Sequence, residues 1–128
     1  MPVTRLDHLV LTVEDLGRTI QWYGDVTGAA HVVFAGGRHA LAFGEQKINL
    51  HERGREIEPH ALRPTPGSAD LCFVVDEPPA ALAARLERIG VPIELGPVER
   101  DGARGRITSF YLRDPDGNLV ELGSYPGV

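Results

Sequence analysis

Residues 114–122 read DPDGNLVEL, and the fold turns on this stretch. Asp114, Pro115, Asp116, Gly117 and Asn118 are all turn formers: proline presets φ, glycine accepts a positive φ, and Asp or Asn side chains bond their own backbone. Behind them Leu119, Val120, Glu121 and Leu122 read as a strand in which one carboxylate interrupts an apolar run. An unpaired buried charge costs several kcal/mol or more. Glu121 therefore calls for a partner, either an ion pair with Arg106 or Arg113 or something bound against the strand.

Working outward, the strand is the last element of a pattern written twice. The first copy opens with RLDHLVLTV at 5–13, which has strand length and β-branched content. EDLGRTIQWYGDVTG follows, with Leu16, Ile20, Tyr23 and Val26 at helical spacing and Gly28 as a stop. Trp22 and Tyr23 read as helix core. Short strands are expected near 30–35, 38–43 and 46–51. Residues 52–68, ERGREIEPHALRPTPGS, are polar, proline-bearing and aperiodic, and read as a linker. The second copy gives a strand at 70–75, a helix at 78–90 with prolines in its first turn, and strands near 92–98, 105–112 and 118–123.

At a shift of 62 residues His8–Val13 lies over Asp70–Val75 and Gly28 over Gly90; at a shift of 72, Ile48-Asn49-Leu50 lies over Val120-Glu121-Leu122. Each half is thus βαβββ, an internal repeat. The expected class is α+β, with a first module at 1–51, the linker at 52–68 and a second module at 69–128. Each module should be a curved mixed sheet with a helix on its outer face, the two forming an open barrel-like cavity.

Composition limits the function. The chain has 128 residues, 42% of them hydrophobic and 24% charged, and a formal net charge of -5, an ordinary globular balance. No basic block marks a nucleic-acid or anionic-membrane partner. The single cysteine, Cys72, excludes an intrachain disulfide and a multi-cysteine metal site. No run approaches the ~20 apolar residues of a bilayer span. The opening MPVTRLDHLV lacks the regions of a signal peptide, so a cytoplasmic location is expected.

Alternation sorts the strand side chains into two faces. Leu9, Leu11, Val13, Ile48, Leu50, Leu71, Phe73, Val75, Val120 and Leu122 should pack on helices. His8, Asn49, His51, Asp70, Cys72 and Glu121 then share the opposite faces. Histidine nitrogen and carboxylate oxygen converging there would suit a divalent ion such as Zn, Ni, Mn, Fe or Co. Cys72 reads as a small hydrophobe on that face, and Tyr111 and Arg113 stand where an anionic substrate group could be met.

The repeat, with LDHLVLTVEDLGRTIQWYGDVTG at one end and FYLRDPDGNLVEL at the other, resembles the vicinal oxygen chelate superfamily. That group includes glyoxalase I, extradiol dioxygenases, fosfomycin-resistance thiol transferases and metal-free bleomycin-binding proteins. KINLHE and PGSADLCFVV look like its small bacterial, virulence-protein-like members. The resemblance implies metal ligands on the first and last strands of each module. His8 and Glu121 match; Asp70 stands where histidine is frequent; Asn49 is in strict register with Glu121, with His51 two residues on.

The implied function is a divalent-metal-dependent lyase or isomerase, dioxygenase or thiol transferase acting on a small oxygen-rich substrate. The ion would be held by His8, Glu121 and one or both of His51 and Asp70, with Glu121 also the candidate catalytic carboxylate. The rival is a metal-free antibiotic- or metabolite-binding protein. A homodimer is also expected, with exchange of modules between chains left open.

Overall fold

The computed structural model describes residues 2–128 and divides into two compact units, Met1–Ser68 and Ala69–Val128. The first holds β1 (His8–Val13), α1 (Leu16–Thr27), β2 (Ala30–Phe34), β3 (Arg38–Phe43) and β4 (Gln46–Glu52). The second holds β5 (Asp70–Val74), α2 (Pro79–Arg88), β6 (Leu95–Gly102), β7 (Gly105–Arg113) and β8 (Leu119–Ser124). The sheet orders are β1-β4-β3-β2 and β5-β8-β7-β6. In each, the first strand runs parallel to the last and the other neighbours are antiparallel. The expected α+β fold of two βαβββ modules is what the chain adopts; each sheet is open rather than closed into a barrel. Among the described residues no helix is long and apolar enough to cross a membrane.

α1 starts where Asp15 accepts a hydrogen bond from the Arg18 N–H at 2.9 Å and ends at Gly28, left-handed at φ 76°, a pairing of side-chain cap and glycine stop that satisfies orphan helix-end groups. Its fully buried residues are Thr19, Tyr23 and Val26. Ile20 and Trp22 are only half-buried, because the buried stripe runs through 19, 23 and 26 rather than through 16, 20 and 23. α2 begins with Pro79 and buries Leu82 and Leu86. The helix-facing strand residues Leu11, Val13, Ile48 and Leu50 in one module, and Val120 and Leu122 in the other, are buried as alternation requires. Each contributes roughly 1.5–3 kcal/mol by leaving water.

Two boundaries differ from the sequence reading. β1 begins at His8 rather than at residue 5. β6 runs from Leu95 to Gly102, well past residue 98, and turns through a tight hairpin in which Gly102 pairs with Gly105. Its polar VERDG segment hides a strand because β6 is a sheet edge, where charged side chains are tolerated and block further pairing.

The DPDGN turn fixes the start of β8. Asp114 Oδ1 accepts from the backbone N–H of Asp116 and of Asn118, both at 2.9 Å, and Asp114 Oδ2 accepts from Asn118 Nδ2 at 2.8 Å. Asn118 Oδ1 in turn accepts from the Ala69 N–H at 2.8 Å, so the turn is tied to the residue before β5. Gly117 takes φ 85° there, which a side-chain-bearing residue adopts at a cost. The register that follows sets Asp70 against Leu119 and Cys72 against Glu121.

Candidate functional site

On the face of the second sheet away from α2 lies a cavity of about 440 Å³ whose lining includes Cys72, Arg100, Ile107, Tyr111, Glu121 and Tyr125. All of these belong to the second unit. Three adjacent strands supply the floor, since Glu121 stands between Cys72 on β5 and Tyr111 on β7. Gly123 follows on the same face, and a Cβ there would sit 2.4 Å from Ile107 Cδ1. The missing side chain lets Ile107 lie down on the sheet.

Glu121 is half-buried and its Oε2 accepts from Ser109 Oγ at 2.5 Å. Neither arginine weighed as its partner pairs with it. Arg106 bonds Glu99 at 3.2 Å and Asp101 at 3.1 Å, while Arg113 bonds Glu94 at 2.9 Å. Among the described residues Glu121 makes no ion pair, and a neutral hydroxyl that is itself completely buried orients it. Beside it the Cys72 thiol is pushed up to about 11, first by loss of solvation and then by the Glu121 carboxylate. Although the residue as a whole has an exposed edge, its thiol stays protonated at neutral pH.

The wall opposite is built by the β6–β7 hairpin. Arg100 pairs with Ile107 in the register, yet its side chain runs back across the face. Nε donates to Tyr111 Oη at 3.1 Å, Nη1 donates to the Glu99 carbonyl at 3.1 Å, and the guanidinium lies 5.5 Å from the Tyr111 ring centroid. Tyr125 Oη accepts from the Arg104 N–H at 3.0 Å. Gly102 permits this closure, because a Cβ there would meet Tyr125 Oη at 2.5 Å.

The first module carries a different set on its corresponding face. His8 is exposed, with Nδ1 2.8 Å from Asp7 Oδ2. Asn49 and His51 are 5% and 4% exposed, and Asn49 Oδ1 and both His51 ring nitrogens are buried with no hydrogen-bond partner. Burial lowers the His51 pKa, with Arg38 and His60 lowering it further and Glu56 opposing, so this imidazole is neutral. In the β1–β4 register His8 stands opposite Lys47 and His51 opposite Thr12. The two histidines are therefore four steps apart, about 13 Å along the strands at ~3.3 Å per residue. Asp70 is exposed at the start of β5, two residues from Cys72 on the same face.

A resident divalent ion needs three or four donors about 2.0–2.3 Å from one point. Among the described residues no three His, Cys, Asp or Glu side chains come together in that way. His8 and His51 are separated along the first sheet, and one oxygen of Glu121 accepts from Ser109. Neither unit by itself presents a preformed ion site, and no chemical step below runs through one.

Sequence reasoning placed Glu121 and Cys72 on one face and weighed Tyr111 as an anion contact, and the three line one cavity. It missed Ser109, Arg100 and Tyr125. Ser109 was within reach, since it alternates with Ile107 and Tyr111 in GRITSFYLR, but its pairing with Glu121 needs the β7–β8 register. Arg100 carried no local signal, because its part depends on the side chain doubling back to Tyr111. Arg113, weighed as an anion contact, is instead bound to Glu94.

Comparison with known proteins gives the setting. The chain is 53% identical over 125 residues to virulence protein STM3117 of Salmonella typhimurium, covering 98% of this chain and 87% of that protein. The crystal structure of STM3117 matches with a TM-score of 0.95, covering 98% of this chain and 99% of that one. Glyoxalase domain-containing protein RDO1 of Mycosarcoma maydis is 51% identical, over 98% of this chain and 70% of its own length. Lactoylglutathione lyase from Agrobacterium tumefaciens is 26% identical with a TM-score of 0.72, covering 97% of this chain and 96% of that one. The model of the Glyoxalase/Bleomycin resistance protein/Dioxygenase superfamily matches residues 5–122, and to that superfamily this chain belongs.

Proposed function

We propose that this chain binds a small molecule in the second-module cavity, with Glu121 as the working carboxylate. The observation that carries this reading is a carboxylate on a cavity floor that no cation neutralises and a buried serine hydroxyl aims. Such a group accepts a hydrogen bond from a ligand hydroxyl or amine, or takes a proton from a bound substrate. Pockets of this size are the usual seat of small ligands. The test is thermal shift of the wild type and Glu121→Gln against a panel of metabolites and antibiotics. Ligands that raise the wild-type midpoint and leave Glu121→Gln unmoved support the reading. Hits that stabilise both proteins equally overturn it.

A second reading is favoured by the orphaned Asn49 and His51 atoms, which suit a site completed by something not yet bound. It is the metal-dependent lyase or isomerase, dioxygenase or thiol transferase, with His8, Glu121 and one or both of His51 and Asp70 drawn around Zn, Ni, Mn, Fe or Co. Metal content by ICP mass spectrometry, on untagged protein purified without chelator and on His8→Ala and Glu121→Ala, decides it. Near-stoichiometric metal lost in both variants supports it, and none after reloading removes it. A homodimer is part of the same proposal, and a gel-filtration mass near the 13.9 kDa of one chain would count against it.

A further inference from the structure

Among the described residues, one cavity holds both a carboxylate and a guanidinium that form no ion pair. Glu121 accepts from the Ser109 hydroxyl and has a hydrogen bond with the Cys72 thiol, both of them neutral groups. Arg100, on the opposite wall, contacts a phenol hydroxyl, a backbone carbonyl and an aromatic face, all of them neutral. The other acid on the lining, Asp101, is already neutralised by Arg106 at 3.1 Å. Two opposite charges in one small cavity would ordinarily close on each other, and each is held back by a specific neutral contact. Ser109 anchors the carboxylate to the floor. Tyr111 anchors the guanidinium, and because Tyr111 is the β7 neighbour of Glu121, it fixes the cation on the cavity side of its strand. The same cavity is lined by Ile107, which is buried, and by the rings of Tyr111 and Tyr125.

From this arrangement, and resting on the binding site proposed above, we infer that the ligand is a small organic anion carrying a second, hydrogen-bond-donating group. Its carboxylate, phosphonate or sulfonate faces Arg100, whose planar fork suits such oxygens. Its hydroxyl or ammonium donates to Glu121, and a flat or branched apolar middle rests on Ile107 and Tyr111. A ligand of this class satisfies both charges at once. A purely anionic one is repelled by Glu121, and a purely donating one leaves the guanidinium without an anion.

A matched probe series tests the inference by nuclear magnetic resonance titration of the full-length, isotope-labelled chain. The probes are 3-hydroxybenzoate (anion and donor), benzoate (anion only) and phenol (donor only). The expected result is that 3-hydroxybenzoate shifts the resonances of Cys72, Tyr111 and Glu121 and binds at least about tenfold tighter than either other probe. Arg100→Gln should erase its advantage over phenol, and Glu121→Gln its advantage over benzoate, in proteins whose remaining spectra are unchanged. If the three probes bind alike in the cavity, or Arg100→Gln leaves their ranking intact while Glu121→Gln weakens all, the ligand class is overturned and the cavity remains the binding site. If no probe up to its solubility shifts the cavity resonances, both the class and the site fall.

Discussion

Ser109 and Glu121 are joined by a single hydrogen bond, Oγ donating to Oε2 at 2.5 Å, although they are not direct register partners. Ser109 stands opposite Gly123 and Glu121 opposite Tyr111, so the bond runs diagonally over the sheet face. The glycine leaves room for it: with no side chain at 123, the serine hydroxyl can lean toward the carboxylate. This contact holds Glu121 in one direction within the cavity.

Replacing Ser109 by Ala should loosen the carboxylate without removing it. A hydrogen bond to a charged group contributes about 1.5–3 kcal/mol net, and partial solvent access at Glu121 reduces that. The expected loss on urea unfolding is about 1 kcal/mol, with a larger relative loss of ligand affinity than of stability. A double-mutant cycle with Glu121→Gln checks it. Ser109→Ala should cost clearly less in the Gln background; additive costs would mean that the hydroxyl does not act through Glu121.

Gly123→Ala tests the shape of the floor. The added methyl would arrive 2.4 Å from Ile107 Cδ1 and 2.8 Å from its Cγ1, inside a packed face where overpacking typically costs about 1–3 kcal/mol. Ile107→Val removes the nearer atom. Gly123→Ala should therefore lower the unfolding midpoint, and the Gly123→Ala/Ile107→Val pair should regain part of the loss. Two strictly additive penalties would contradict the close approach.

The thiol of Cys72 reports on the same carboxylate. With its pKa pushed up to about 11 by burial and by Glu121, alkylation by iodoacetamide should be slow at neutral pH and rise steeply above pH 9. Glu121→Gln removes the second of these causes, so the alkylation profile should move to lower pH while remaining above that of a free thiol. Linkage has the matching sign. An unfolded thiol ionises near its model value of 9.0 while the folded one keeps its proton, so stability falls as pH rises from about 9 toward 11.

The fold was readable because it is written twice. Strand alternation and the glycine after each helix gave the same answer in both copies, the DPDGN turn marked the last strand of the second, and agreement between levels marks a specified fold. The faces were readable for the same reason: one-residue alternation put Glu121 and Cys72 together. The partners of Glu121 were not, because Arg106 and Arg113 lie on either side of Ser109 in sequence and only the folded arrangement assigns the arginines to Glu99, Asp101 and Glu94. His8 and His51 share a face, but alternation gives no measure of distance along it.

His51 offers the sharpest contrast between stability and use. It is 4% exposed with both ring nitrogens unpartnered, and its lowered pKa has a definite consequence. As pH falls below the ordinary histidine value of 6.5, the unfolded chain takes up a proton that the folded chain refuses. Stability is full above that value and is lost as pH drops toward the folded-state pKa. The opposing group nearby is His60, whose pKa is raised by the Ala61 carbonyl first and by Glu58 and Glu56, and it contributes the opposite slope. His51→Leu should abolish the first component, leave the second, and cost little at pH 8, since replacing an unsatisfied buried polar group by an apolar one is near neutral or stabilising. His51→Ala, which opens a cavity, should cost about 2 kcal/mol or more and shows whether the site is packed. Midpoints measured from pH 5 to 8 for all three proteins settle the matter: a destabilising His51→Leu with unchanged pH dependence would mean that the imidazole has a partner in solution, and the second reading of the site would gain by it.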